Sequence, residues 1–237
     1  MDKMTSRKLG LLCVIGGGTG FFLRLMLYAI GLRKGGMLVR WQPLSILLAV
    51  TAVLMLAAAA VLSLRQPRVL RTAPTGKLQA GGSAALALCL GYMAGSGIRE
   101  GLPMSLLLLG LLAALALILA AVSQWQGRQP HFLTHVVLCL FLAYYLLNRF
   151  RVWSQNPQIL DHIMVLCGGV AMMLYSFEMA AGSLGRAGSR KWLFLGIMAG
   201  FFCLTGASGG HAVALCLGGA LWILSGFWSG TGEGAEK

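Results

Sequence analysis

Six side chains carry chemistry that an apolar chain seldom tolerates. Arg24, His131, His135, Asp161, His162 and Glu178 lie in, or at the rim of, long hydrophobic runs. Ionisable groups in such places are costly, so each must be paired, hydrated or put to use. His131 and His135 are four residues apart and share one face of a helix. The next run returns antiparallel and brings Glu178 to about the same depth. Two imidazoles and a carboxylate could hold a divalent metal or relay a proton. No HExxH or comparable motif supplies a further ligand. Interfacial histidines beside a snorkelling glutamate are the plainer reading, and no metal or cofactor is assigned. Arg24 sits roughly 12 Å below the outer end of the first run, at 1.5 Å per residue. Asp161 lies just inside the outer end of the sixth run, next to His162. Arg24 and Asp161 could form an ion pair near that face. Otherwise Arg24 snorkels alone and Asp161 caps its helix.

The elements that must position these groups are membrane spans. The chain has 237 residues, 58% hydrophobic and 11% charged, with mean hydropathy +0.80. A soluble domain of this length carries far more charge, because its surface must face water. With about 20 residues per span, the expected fold class is all-α, a polytopic transmembrane bundle forming one integral domain over residues 1–237. The spans fall at about 9–32, 44–64, 80–98, 104–125, 131–150, 158–181, 192–207 and 211–228. That makes eight helices, or seven if the last two short runs form one helix and a re-entrant segment. The first run follows Lys3, Arg7 and Lys8, lacks a small-x-small cleavage site and contains Arg24, so it reads as a retained helix.

Punctuation agrees with this division. Pro43, Pro103, Pro130 and Pro157 stand at helix starts, where a missing N–H is harmless, and Pro67 and Pro74 lie in a basic linker. Trp41, Trp125, Trp153, Trp192 and Trp228 fall near span ends, as an interfacial belt requires. Gly16/Gly20, Gly91/Gly95 and Gly196/Gly200 have the small-xxx-small spacing of close helix packing, within one protomer or at a dimer face.

The net charge of +13 comes from 19 Lys and Arg against 6 Asp and Glu. The basic residues lie mostly between the apolar runs, where they meet anionic head groups. No loop pairs them with stacking aromatics, so nucleic acid is not an expected partner. Counted over alternate loops they favour one side roughly two to one, which puts both termini in the cytoplasm. The six cysteines all lie inside apolar runs without a CxxC pair, as small buried hydrophobes do.

Two short motifs fail where their chemistry lies. Gly206-Ala207-Ser208-Gly209-Gly210 is similar to the nucleophile segment of rhomboid proteases, but that family places its base histidine two helices later and here one helix follows. Gly17-Gly18-Thr19-Gly20 with Arg24 is similar to the first helix of small fluoride channels, without their pore asparagine in the second span. A longer stretch is Arg151-Val152-Trp153-Ser154-Gln155-Asn156-Pro157-Gln158-Ile159-Leu160-Asp161, then an apolar run reaching Tyr175, the basic Arg186–Lys191 and Gly218-Gly219-Ala220-Leu221-Trp222. It resembles uncharacterised polytopic membrane proteins of anaerobic Firmicutes. The resemblance covers roughly the last 90 residues. It implies the cytoplasmic membrane of a Gram-positive bacterium and transfers no activity.

The expected role is therefore a non-enzymatic accessory or sensing component, working in the bilayer with a protein partner or as a homo-oligomer. One alternative is a permease or channel for a small neutral or apolar solute. The other is a lipid-modifying enzyme, which would need His131, His135 and Glu178 to converge.

Overall fold

The computed structural model describes residues 3–31, 43–67, 69–99, 102–153, 159–208 and 212–229. These form an all-α bundle of eight helices: α1 Lys3–Gly31, α2 Pro43–Arg65, α3 Lys77–Arg99, α4 Met104–Trp125, α5 Phe132–Trp153, α6 Ile159–Ser183, α7 Ser189–Gly206 and α8 Val213–Trp228. A short ribbon joins β1, Leu70–Arg71, to β2, Ala187–Gly188. Helices α1 to α6 are long and apolar enough to cross a membrane.

Local chemistry sets the ends. Pro43 is the first residue of α2 and Pro103 the N-cap of α4, positions that need no N–H. Helices α4 and α6 stop at glycines in the left-handed region, Gly127 at φ 73° and Gly185 at φ 68°. After α6 the Arg186 amide donates to the Ala181 carbonyl at 2.8 Å and the Gly185 amide to Gly182 at 2.9 Å. The Arg128 and Gly127 amides close α4 in the same way, on Ser123 and Gln124. This double bond absorbs carbonyls that a helix end leaves unpaired.

Packing separates rim from centre. Helix α2 buries only the stripe Leu48, Met55, Ala59 and Ser63 and turns the rest outward. Helices α7 and α8, with 18 and 16 residues, are buried along most of their length at the centre. Outward-facing Leu88, Tyr92 and Leu147 are at least 70% exposed. Such a surface suits lipid, since a soluble monomer seldom leaves large apolar patches open to water.

One end of the bundle is stitched together. Ribbon pairing sets Leu70 opposite Gly188 and Arg71 opposite Ala187. The Ser189 amide donates to Val69 O at 3.1 Å, its hydroxyl to Pro67 O at 2.6 Å, and Arg190 Nε to Gln66 O at 2.8 Å. The Gly76 amide donates to Gln124 O at 3.1 Å, and Gln129 Nε2 to Ala73 O at 3.1 Å. Gly182 approaches the segment after β1 so closely that a Cβ there would lie 3.0 Å from Ala73 N. A Cβ at Gly10 would lie 3.0 Å from Trp228 Nε1. The starts of the odd helices and the ends of the even ones thus share this face, as in an up-and-down bundle.

The eight-helix reading holds. The far end of α7 meets Arg24, 21 residues along α1 from Lys3 and so roughly 31 Å away from the stitched face. Helix α7 therefore runs the depth of the bundle, and α8 returns. Two expectations need correction. Trp192 is 2% exposed and belongs to the interior, not to the interfacial belt. The basic linker after α2 is not plain loop but carries β1, whose partner lies in the next basic turn.

Candidate functional site

The buried polar side chains of six helices gather within about two turns of the stitched face. Gln79 and Ser83 come from α3, Gln124 from α4, His135 from α5, Tyr175 and Ser176 from α6, Trp192 from α7, and Trp222 and Ser225 from α8. Serines tie the polar groups across helices. Ser83 Oγ donates to Gln124 Oε1 at 2.8 Å, Ser225 Oγ to Gln79 Oε1 at 3.0 Å, and Ser176 Oγ to the His135 carbonyl at 2.8 Å. Aromatic rings form the walls. Tyr175 meets Trp222 edge-on at 5.2 Å between centroids, Trp192 lies 5.9 Å from Tyr175, and the His135 imidazole lies 6.0 Å from Trp222. Arg71, on β1, holds its guanidinium 4.3 Å from the Trp192 ring centroid, within cation–π range. Burial lowers its pKa below the ordinary arginine value, and the nearby Tyr175 partly offsets this. An arginine so placed stays charged.

The serines satisfy one end of each glutamine and leave the other. Gln79 Nε2, Gln124 Nε2, Trp222 Nε1 and both His135 ring nitrogens are buried without a hydrogen-bond partner, while the Trp192 indole N–H donates to the Tyr175 hydroxyl. An unmet buried polar group costs about 1–3 kcal/mol, so several in one place call for an explanation. Three of these atoms are obligate donors. The unmet groups are thus mainly donors, set beside aromatic rings. Beyond this layer the centre is apolar. Leu86, Leu90, Leu117, Leu138, Leu142, Met172 and Phe201 are all below 2% exposure.

Of the residues expected to act, His135 joins this site and the others do not. His131 is exposed, its ring against Phe132, and Glu178 is nearly buried close to the end of α6. Among the described residues no three His, Cys, Asp or Glu are grouped to hold a metal, so the trio His131, His135, Glu178 is not assembled. The six cysteines are unpaired by disulfides.

At the opposite end Arg24 is 5% exposed and points inward, which overturns the expectation that it snorkels. Its Nη1 donates to Thr205 O at 3.2 Å and its Nη2 to Tyr28 OH at 3.1 Å. Ser208 Oγ donates to the same carbonyl at 3.0 Å. The cation thus satisfies a carbonyl in the last turn of α7, where the helix dipole favours positive charge. Ser208 closes the end of α7 with this bond. His162 stacks on Trp153 at 4.2 Å. Asp161 lies in the first turn of α6 with its side chain outside the described residues, so its pairing with Arg24 stays an expectation. Replacing Arg24 by methionine should cost about 2 kcal/mol, the worth of charge-assisted hydrogen bonds. Thermal melts in detergent would read this, and an unchanged midpoint would refute the capping role.

The packing glycines divide. A Cβ at Gly16 would meet Met55 Sδ at 2.5 Å and one at Gly20 would strike Thr205. At Gly196 it would meet Phe227 at 2.8 Å, and at Gly200 Cys13 at 3.6 Å. These four pack within the chain. At Gly91 and Gly95 a Cβ meets nothing within 4 Å, so this pair faces outward.

The reading of the sequence missed Gln79, Gln124, Tyr175 and Trp222 because it sought charges and metal ligands. The available signal was two glutamines at the ends of apolar runs, each needing four hydrogen-bond partners. Comparison with protein-family models, curated proteins and solved structures gives no match to this chain.

Proposed function

We propose that the chain is a multi-pass component of a bacterial cytoplasmic membrane that recognises a small, acceptor-rich solute, as an accessory or sensing subunit and not as a catalyst. The carrying observation is the set of three buried donor nitrogens on Gln79, Gln124 and Trp222, gathered from three helices and left unpaired. The basic residues on the stitched face support its lying on the cytoplasmic side.

A second reading, a permease, draws on the same concentration of polar groups in one half of the bundle. It would require the leucine layer from Leu86 to Leu142 to part. Native mass spectrometry of the protein purified in mild detergent tests the proposal. The expected result is a small-molecule adduct that disappears in the double variant Gln79→Leu, Gln124→Leu. A chain that carries no adduct, yet conducts solute into liposomes, would favour the permease.

A further inference from the structure

The outer face of α3 and α4 carries a groove of about 340 Å³, distinct from the buried polar site. Ala80, Gly81 and Ala84 form one wall and Ile118, Ala121 and Val122 the other, so its lining is apolar. Trp125 and Gln126 close it at the stitched face. From Ile118 to Trp125 the trough runs roughly 10 Å along α4, against about 15 Å for half of the hydrocarbon core. It therefore has the depth of the upper part of one leaflet.

Its rim is positive. Lys77 lies one turn before Gly81 on the same face of α3, its Nζ 5.6 Å from the Trp125 ring centroid. Arg128 is exposed just past the end of α4. Residues 76–84 and 118–131 contain no acidic side chain. An apolar trough at lipid depth under a purely cationic rim complements one kind of molecule. We propose that it seats an acyl chain of an anionic phospholipid, with the phosphate against Lys77 and Arg128.

The test is native mass spectrometry of the full chain released from nanodiscs of equal phosphatidylglycerol and phosphatidylethanolamine. Phosphatidylglycerol adducts should dominate. Lys77→Gln should reduce them about fivefold, the factor for one basic group at a membrane surface. Gly81→Leu should reduce them at least as far by filling the trough. That variant keeps its fold, since a Cβ at Gly81 meets nothing within 4 Å and leucine is the better helix former. Equal retention of the two lipids would overturn the proposal. So would phosphatidylglycerol retention unchanged in both variants. A dimer lost in Gly81→Leu with lipid retention intact would make the groove a contact between copies, and would overturn it too. Neither variant touches the polar site, so this result is read separately from solute recognition.

Discussion

Valine at Gly82 should prevent the bundle from folding. Helices α3 and α8 approach there with no room for a side chain. A Cβ at Gly82 would run into the Ser225 hydroxyl and lie 3.1 Å from the Trp222 Cα. The contact is reciprocal one turn along, where a Cβ at Gly218 on α8 would lie 2.8 Å from Cys89 Cβ and 3.2 Å from the Leu86 Cα. Backbone atoms cannot rotate aside as a side chain can, so the helices must separate. Separation would open the Ser225–Gln79 bond and the aromatic wall beside it. Overpacking costs about 1–3 kcal/mol where side chains give way, and a backbone clash on both helices should exceed that range. The expected readout is loss of the monodisperse peak in size-exclusion chromatography. Gly91→Leu, where a Cβ meets nothing within 4 Å, should leave that peak unchanged. A Gly82→Val protein that elutes and melts like the parent would mean α3 and α8 do not approach as described.

That contrast bears on what could be read from residues alone. Gly16, Gly20, Gly91, Gly95, Gly196 and Gly200 are equivalent as small-xxx-small pairs, yet four face neighbours and two face outward. The spacing says that a close approach is permitted, and only the arrangement of helices says which face is used. The eight helices were legible to within about three residues at every end but the first, because a bilayer demands long apolar runs and punctuates them with proline, tryptophan and basic residues. The ribbon between β1 and β2 was not. Two residues on each strand carry no periodic signal, and their pairing joins turns more than a hundred residues apart. Arg24 was legible as a costly group but not as a cap, since its partner is the Thr205 carbonyl and a backbone acceptor leaves no mark in the sequence. The polar site was hidden for a related reason. Gln79, Ser83, Gln124 and Ser225 are ordinary near helix ends, and become unusual only when the packing excludes water from all four at once.

Replacing His135 by leucine should make the empty protein more stable and take away its ligand. The imidazole is fully buried, lies beside Trp222, and has a hydrogen-bond partner for neither ring nitrogen. Only its backbone carbonyl is engaged, by Ser176, and a substitution leaves that bond in place. Leucine has nearly the same volume and asks for no hydrogen bond. Relief of unmet buried groups is worth about 2 kcal/mol, which for a chain of this length raises the melting midpoint by about 5 °C. A residue retained for packing alone would show the reverse, because a well-fitted side chain is lost. The second half of the prediction separates recognition from mere imperfection of the core. If the site takes an acceptor-rich solute, His135→Leu should lower retention of the adduct by about tenfold, the value of one hydrogen bond in a desolvated site. Stability rising while retention falls is the pattern of a group kept for binding at the expense of the fold. A less stable variant that still holds the solute would remove His135 from the site and return it to the core.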